Sequence, residues 1–205
     1  MKVIGLCGGS GSGKGEVCSL FNKMGIPTID TDAVYRELTG PNGQALSALE
    51  KEFGSDIITE NNSLNRKALA DIVFCGNDGA SRLARLNEIS HKFILDETRA
   101  RLDRLSQGGF PYAIVDAPVL FESKFDSECD AVICVIADRE LRIERVMCRD
   151  RISRAEAERR IASQISDDEL VLRSDFVIKN NSDIDALRDQ VYSLHKKIID
   201  NNYER

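Results

Sequence analysis

Apolar residues follow two rhythms along this chain. Short unbroken runs occupy Lys2 to Leu6, Ile26 to Ile29, Ala113 to Asp116, Ala131 to Ala137 and Phe176 to Ile178. Runs of this length without alternation predict strands buried on both faces, the kind parallel sheets use. Between them the spacing changes to that of a helix face. Val17, Leu20, Phe21 and Met24 recur at i, i+3, i+4 and i+7, with Gly25 as the C-terminal cap. The stretch from Ala33 to Leu105 reads as mostly helical. Its last part is one long helix through Leu83, Leu86, Ile89, Phe93, Leu102 and Leu105, ending at Gly108-Gly109. A further helix is predicted from Arg139 to about Arg149, and Ser153-Arg154-Ala155-Glu156 has the capping-box spacing that opens another. Ile184, Leu187, Val191, Leu194 and Ile198 mark the last one. Strand, helix, strand within about thirty residues is the βαβ signature, so the fold class is α/β.

The chain has 205 residues, 42% hydrophobic and 30% charged, within the range of a soluble globular domain. Its net charge of −6 argues against a dedicated nucleic-acid binder. The 6 cysteines form no C-x-x-C pair and only 2 histidines accompany them, which speaks against structural zinc and for a reducing, cytoplasmic setting. No apolar run has the length of a membrane span, and the first residues lack the form of a signal peptide. No internal repeat or linker divides the chain.

The chemistry concentrates at Gly8-Gly9-Ser10-Gly11-Ser12-Gly13-Lys14. This matches G-x-x-x-x-G-K, after a strand and before a helix. Gly11, Ser12 and Gly13 would turn backbone N–H groups toward a phosphate, the helix N-terminus adds partial positive charge, and Lys14 bridges the outer phosphates. The next position usually carries a Ser or Thr hydroxyl for Mg²⁺. Here it is Gly15, followed by Glu16. Either other carboxylates hold the metal through waters, or the chain binds nucleotide with little turnover.

Asp116 and Asp32 both follow apolar strands, where the ligand crevice of an open α/β sheet lies. Asp116 resembles a Walker B aspartate, and is the candidate metal residue. Asp32 is placed to accept or orient the proton of an attacking hydroxyl. From Arg139 to Arg160 there are eight arginines, at 139, 142, 145, 149, 151, 154, 159 and 160. Glu140, Glu144, Glu156 and Glu158 supply i,i+4 partners, so most are expected on a solvated face and one or two over the transferring phosphoryl. His195 is read as structural. Leu105-Ser106-Gln107-Gly108-Gly109 has the residues of a transporter-ATPase signature in the wrong order and is read as a helix end.

Several segments together resemble the dephospho-CoA kinase family over nearly the whole chain: Gly8 to Lys14; Ile29-Asp30-Thr31-Asp32 with Arg36; Leu64 to Phe74; Asn87 to His91; Pro118-Val119-Leu120-Phe121-Glu122; Arg149-Asp150 followed by Gln164; and Asp175 to Asn181. The resemblance implies one P-loop domain over 1–205 of the nucleoside-monophosphate-kinase-like type, with a five-stranded parallel sheet, a helical acceptor region about 33–107 and a lid about 138–166. It further implies ATP with Mg²⁺ as donor and dephospho-CoA as acceptor, with the ribose 3′-hydroxyl as nucleophile. Asp32 would then be the catalytic carboxylate, Lys14 would steady the phosphates and Arg149 would belong to the lid. Arg36, His91 and Glu122 would lie on the acceptor side. Nucleic acid and membrane are not expected partners, and the chain is expected to be a monomer or weak homo-oligomer. Gly15-Glu16 departs from the family's Ser-Thr, Lys92 from a proline and Ser182 from a glycine. A nucleotide-binding regulatory protein, or a P-loop kinase of another small molecule, is the alternative, with its metal site altered at Gly15.

Overall fold

The computed structural model describes residues 1–75 and 78–200. In chain order these form β1 (Lys2–Cys7), α1 (Lys14–Lys23), β2 (Thr28–Asp30), α2 (Thr31–Leu38), α3 (Leu46–Phe53), α4 (Arg66–Phe74) and α5 (Gly79–Gln107). There follow β3 (Tyr112–Asp116), β4 (Ala131–Ile136), α6 (Arg139–Asp150), α7 (Arg154–Ala162), α8 (Asp167–Leu172), β5 (Phe176–Lys179) and α9 (Ile184–Ile199). Single 3₁₀ turns lie at Ser55–Ile57 and Phe125–Glu128. The chain divides into two compact units: one joins residues 1–29 to the chain from Arg104 onward, and the other is Asp30–Asp103.

The first unit carries the five-stranded parallel sheet, in the order β2-β3-β1-β4-β5. β1 is central and parallel to both β3 and β4, with Leu6 opposite Asp116 and Cys7 opposite Cys134. The carboxyl ends of β1 and β3 therefore lie side by side, which is where a doubly wound sheet opens its ligand crevice. The unbroken apolar runs are explained by what covers them. Ile4, Leu6, Ile114, Ile133 and Val135 are fully buried in one core with Val17 and Phe21 of α1 and Leu187, Val191 and Ile198 of α9. Within it Tyr112 Oη and His195 Nδ1 are hydrogen-bonded at 2.6 Å, so His195 serves the core.

One predicted boundary shifts. Ile26 is not strand: its N–H bonds to Phe21 O at 3.0 Å while that of Gly25, at φ +79°, bonds to Asn22 O at 2.9 Å. This is a Schellman closure of α1, and Ile26 is the apolar residue packed back against the helix. β2 accordingly starts after Pro27. The helices α6 and α7 share a small core of their own, Ile143, Val146 and Ala157.

The second unit is helical with one short bridge between Ile58 and Leu64. The predicted long helix is α5, closed at Gly108 and Gly109 by bonds to Arg104 O and Ser106 O. Leu83, Leu86, Ile89 and Phe93 on it are half-buried, while Thr98 and Leu102 are buried. Among the described residues no helix is long and apolar enough to cross a membrane.

Candidate active site

β1 delivers the chain into the glycine-rich loop and α1 takes it up again at Lys14. At Gly11 and Gly13 glycine is demanded by contact as well as by angle. Gly11 has φ +78° and a Cβ there would sit 2.6 Å from Arg142 O; Gly13 has φ +97° and a Cβ would sit 2.1 Å from Asn180 Nδ2. Lys14 Nζ donates to Gly8 O at 2.8 Å, so its ammonium reaches back to the start of the loop it closes.

Three successive carbonyls of the loop are tied outward. Arg142 Nε donates to Ser10 O at 2.9 Å, Arg145 Nη1 to Gly11 O at 3.2 Å and Asn180 Nδ2 to Ser12 O at 2.9 Å. Because a trans peptide sets its N–H opposite its C=O, the N–H groups of Gly11 and Gly13 face the other way, into the cradle. That of Ser12 closes a turn on Gly9 O at 3.1 Å. Gln164 adds a fourth tie, accepting from Ser10 N at 2.8 Å and donating to Ser10 Oγ at 3.1 Å. Arg142 is itself 4% exposed and paired with Asp167 at 2.6 Å. The loop is thus preorganised by protein before any phosphate arrives.

Most of the arginine-rich segment is exposed, as expected: Arg139, Arg149, Arg151, Arg154, Arg159 and Arg160 all are. Arg142 and Arg145 do not join i,i+4 pairs on a solvated face; they turn inward to the phosphate loop. Arg154 behaves as expected, with Glu158 at 2.9 Å and Glu140 at 2.7 Å. Arg149 is exposed and held by its neighbour Asp150 at 2.7 Å, and Asp150 also takes Arg160. The Arg149 guanidinium keeps the Asp150 carboxyl below the usual aspartate range.

Asp116 ends β3, half-buried, and Cys18 Sγ donates to its Oδ2 at 3.7 Å. Cys18 was not singled out by sequence. A Cβ at Gly15 would meet nothing within 4 Å. Glu16, next along α1, is exposed. Beyond β3, Pro118–Glu122 forms one wall of a cavity of about 260 Å³ whose other walls are Gly8, Gly9 and the segment Ser163–Ile165. Glu122 lines it, and the Arg173 guanidinium stacks 3.9 Å over the Phe121 ring, fixing that wall. Lys14, the loop glycines, Asp116 and Glu122 thus belong to one unit, around the ends of β1 and β3.

In the other unit, Asp32 is exposed in the first turn of α2. Asp30 caps that turn, accepting from Asp32 N at 2.8 Å and Ala33 N at 3.1 Å, so the backbone carrying Asp32 is fixed. Arg36 sits over the same turn, with Asp30 Oδ2 at 3.3 Å and Asp32 O at 3.2 Å. His91 lies on α5, half-buried beside the buried Ser90. Arg142, Arg145 and Asn180 are the residues sequence reasoning missed as loop supports. The signal for Arg142 was its place beside the apolar Ile143 and Val146.

A family model described as dephospho-CoA kinase matches residues 2–186. The dephospho-CoA kinase of Syntrophotalea carbinolica is 35% identical over 199 residues, 97% of this chain and 93% of that one. A crystal structure from Thermus thermophilus superposes with a TM-score of 0.77 at 28% identity, covering 96% of this chain and 97% of the other. The dephospho-CoA kinase structure from Campylobacter jejuni, 23% identical, shares the fold with a TM-score of 0.72 over 98% of each chain. With its phosphate loop intact and the match running almost from end to end, the chain belongs to the dephospho-CoA kinase family.

Proposed function

We propose that this chain transfers the γ-phosphoryl of ATP to the ribose 3′-hydroxyl of dephospho-CoA, giving coenzyme A and ADP. The observation that carries this is a phosphate loop with three carbonyls tied outward, in a chain that the family's model matches over residues 2–186. Phosphoryl transfer asks little covalent chemistry of the protein and much positioning, which is what such a loop supplies.

In this reading the N–H groups of the loop and Lys14 hold the β- and γ-phosphates. Asp32 takes the proton of the attacking hydroxyl, its backbone fixed by the Asp30 cap. Arg149 releases Asp150 to meet the phosphoryl oxygens, and Arg36, His91 and Glu122 contact the acceptor. Mg²⁺ bound with ATP would neutralise charge between the β- and γ-phosphates. Asp116 would hold it, through waters on the side where Gly15 offers no hydroxyl.

The test is ADP release by the purified protein with ATP and Mg²⁺, run with dephospho-CoA, with adenosine and without acceptor. Release that requires dephospho-CoA, with coenzyme A identified by mass, supports the reading. ATP binding without acceptor-dependent release would point to a nucleotide-binding regulator instead.

A further inference from the structure

We propose that the side-chain amide of Gln164 binds the transferring phosphoryl group, and that the site tells ATP from ADP through it. The inference rests on the reading that the loop holds the phosphates of ATP.

Gln164 follows α7 and reaches back 154 residues to Ser10 in the phosphate loop. Its Oε1 accepts from Ser10 N at 2.8 Å and from Arg142 Nη2 at 3.4 Å. Neither partner can act as an acceptor, so the two ends of the amide cannot exchange places. Nε2 is forced to the other side, where one of its hydrogens goes to Ser10 Oγ at 3.1 Å. The second hydrogen has no acceptor among the described residues. Ser10 is itself fixed, because Arg142 Nε holds its carbonyl at 2.9 Å and Arg142 is buried and paired with Asp167. The amide is therefore oriented by protein alone, with one donor to spare.

The cavity beside it is where the γ-phosphoryl belongs. The lysine of a phosphate loop serves the outer phosphates. Lys14 Nζ lies at Gly8 O, so the γ end of the triphosphate falls at the Gly8 end of the loop. Gly8, Gly9 and Gln164 line one cavity there, and a Cβ on Gly9 would sit 3.1 Å from Gln164 Oε1. Another wall of the same cavity carries Glu122, on the proposed acceptor side. As the γ-phosphorus exchanges its bond to the ADP oxygen for one to the acceptor oxygen, an N–H fixed at this place holds one of the phosphoryl oxygens. The amide donates a hydrogen bond and gives up no proton. ADP, which lacks that group, makes no such bond.

The experiment compares binding of ADP and of the β,γ-imido analogue of ATP, each with Mg²⁺, by calorimetric titration of the full chain and its variants. Gln164→Glu keeps both bonds to Ser10, since the serine hydroxyl can rotate to donate, but turns the amide nitrogen into a charged oxygen. We expect the dissociation constant of the analogue to rise about tenfold or more, and that of ADP to stay within about threefold. Gln164→Met removes the donor without adding charge and should weaken the analogue about fivefold more than ADP. Equal losses for the two nucleotides in Gln164→Glu, or no loss for either, would make Gln164 a support of the loop alone and overturn the proposal. Turnover of the unsubstituted chain with ATP and dephospho-CoA is measured separately. Its failure would strike the functional reading, whereas an unchanged ratio of the two affinities beside normal turnover strikes only the role of Gln164.

Discussion

Asn180 occupies the space that a side chain at position 13 would need: a Cβ on Gly13 would lie 2.1 Å from its Nδ2. The same amide nitrogen donates to Ser12 O at 2.9 Å, so one side chain both excludes substitution at Gly13 and turns the preceding carbonyl away from the cradle. Asn180 itself is presented by the end of β5, where its N–H bonds to Ile136 O of β4 at 2.8 Å.

Asn180→Ala should therefore weaken ATP binding while leaving the fold in place. A buried carbonyl left without its donor costs about 1–3 kcal/mol. If about half of that is felt in the bound state, the dissociation constant rises about fivefold. Calorimetric titration with ATP checks this, and an unchanged affinity would show that the loop holds its shape without the amide.

Arg142 carries a heavier structural role, because its guanidinium serves Ser10 O, Gln164 and Asp167 from a buried position. Removing Arg142 leaves the buried Ser10 carbonyl without its donor and Asp167, still partly solvated, without its partner, at a cost of about 1–3 kcal/mol. Arg142→Ala should show that loss in urea denaturation, together with weaker ATP binding. Adding Asp167→Ala should cost little more, since the pair is already broken. Fully additive losses in the double variant would mean that the two side chains act independently.

Asp32→Asn should separate chemistry from binding. The amide keeps the size of the carboxylate but cannot take a proton, so kcat should fall by about 10²–10⁴-fold. The ATP dissociation constant should stay within about twofold, because the proposed phosphate contacts come from the loop and Lys14. A variant with ordinary turnover would remove Asp32 from the mechanism.

Gly15→Ser tests the departure at the metal position. The open space around Gly15 admits a side chain without strain. A restored hydroxyl should lower the Mg²⁺ concentration needed for half-maximal turnover, by roughly tenfold if it adds a direct ligand of about 1.4 kcal/mol. An unchanged Mg²⁺ titration would show that this position no longer faces the metal.

The sheet and the phosphate loop were legible because their signals are local. Buried runs such as Ala131 to Ile136 admit few readings, and glycine spacing before Lys14 admits fewer. Ile26 was misread because an apolar residue after a helix-capping glycine looks the same whether it opens a strand or folds back on the helix. The helix α8, six residues long, is too short to show a period. The supports of the loop were hidden for a different reason. Arg142 and Arg145 stand 132 and 134 residues from the carbonyls they hold, and although Arg142 neighbours the apolar Ile143 and Val146, nothing in the sequence says what it would meet there. Only the packing of α6 against the loop decides it, and that is a tertiary fact. The contact between Cys18 and Asp116 was invisible for the same reason, since the two lie 98 residues apart.

The predicted capping box at α7 was also local, and it gives a pH-dependent test. Ser153 Oγ accepts from Glu156 N at 3.3 Å, and the Glu156 carboxylate accepts from Ser153 Oγ at 2.6 Å and Ser153 N at 2.8 Å. Those bonds, the serine hydroxyl first, favour the ionised form and hold the Glu156 carboxyl below its ordinary value of 4.5. A group whose value is lowered on folding stabilises the helix fully above its unfolded value, and that contribution is lost as pH falls through the folded one. Glu156→Gln should thus reduce hydrogen-exchange protection of the first amides of α7 at about pH 7, by a few-fold relative to the unsubstituted chain. At a pH well below the lowered folded value, where the carboxylate is protonated in both states, the two proteins should converge. Ser153→Ala, which removes the cap itself at a cost of about 1 kcal/mol, should stay less protected at both values. A Glu156→Gln deficit of the same size at both pH values would mean that the side chain acts through packing and not through its charge.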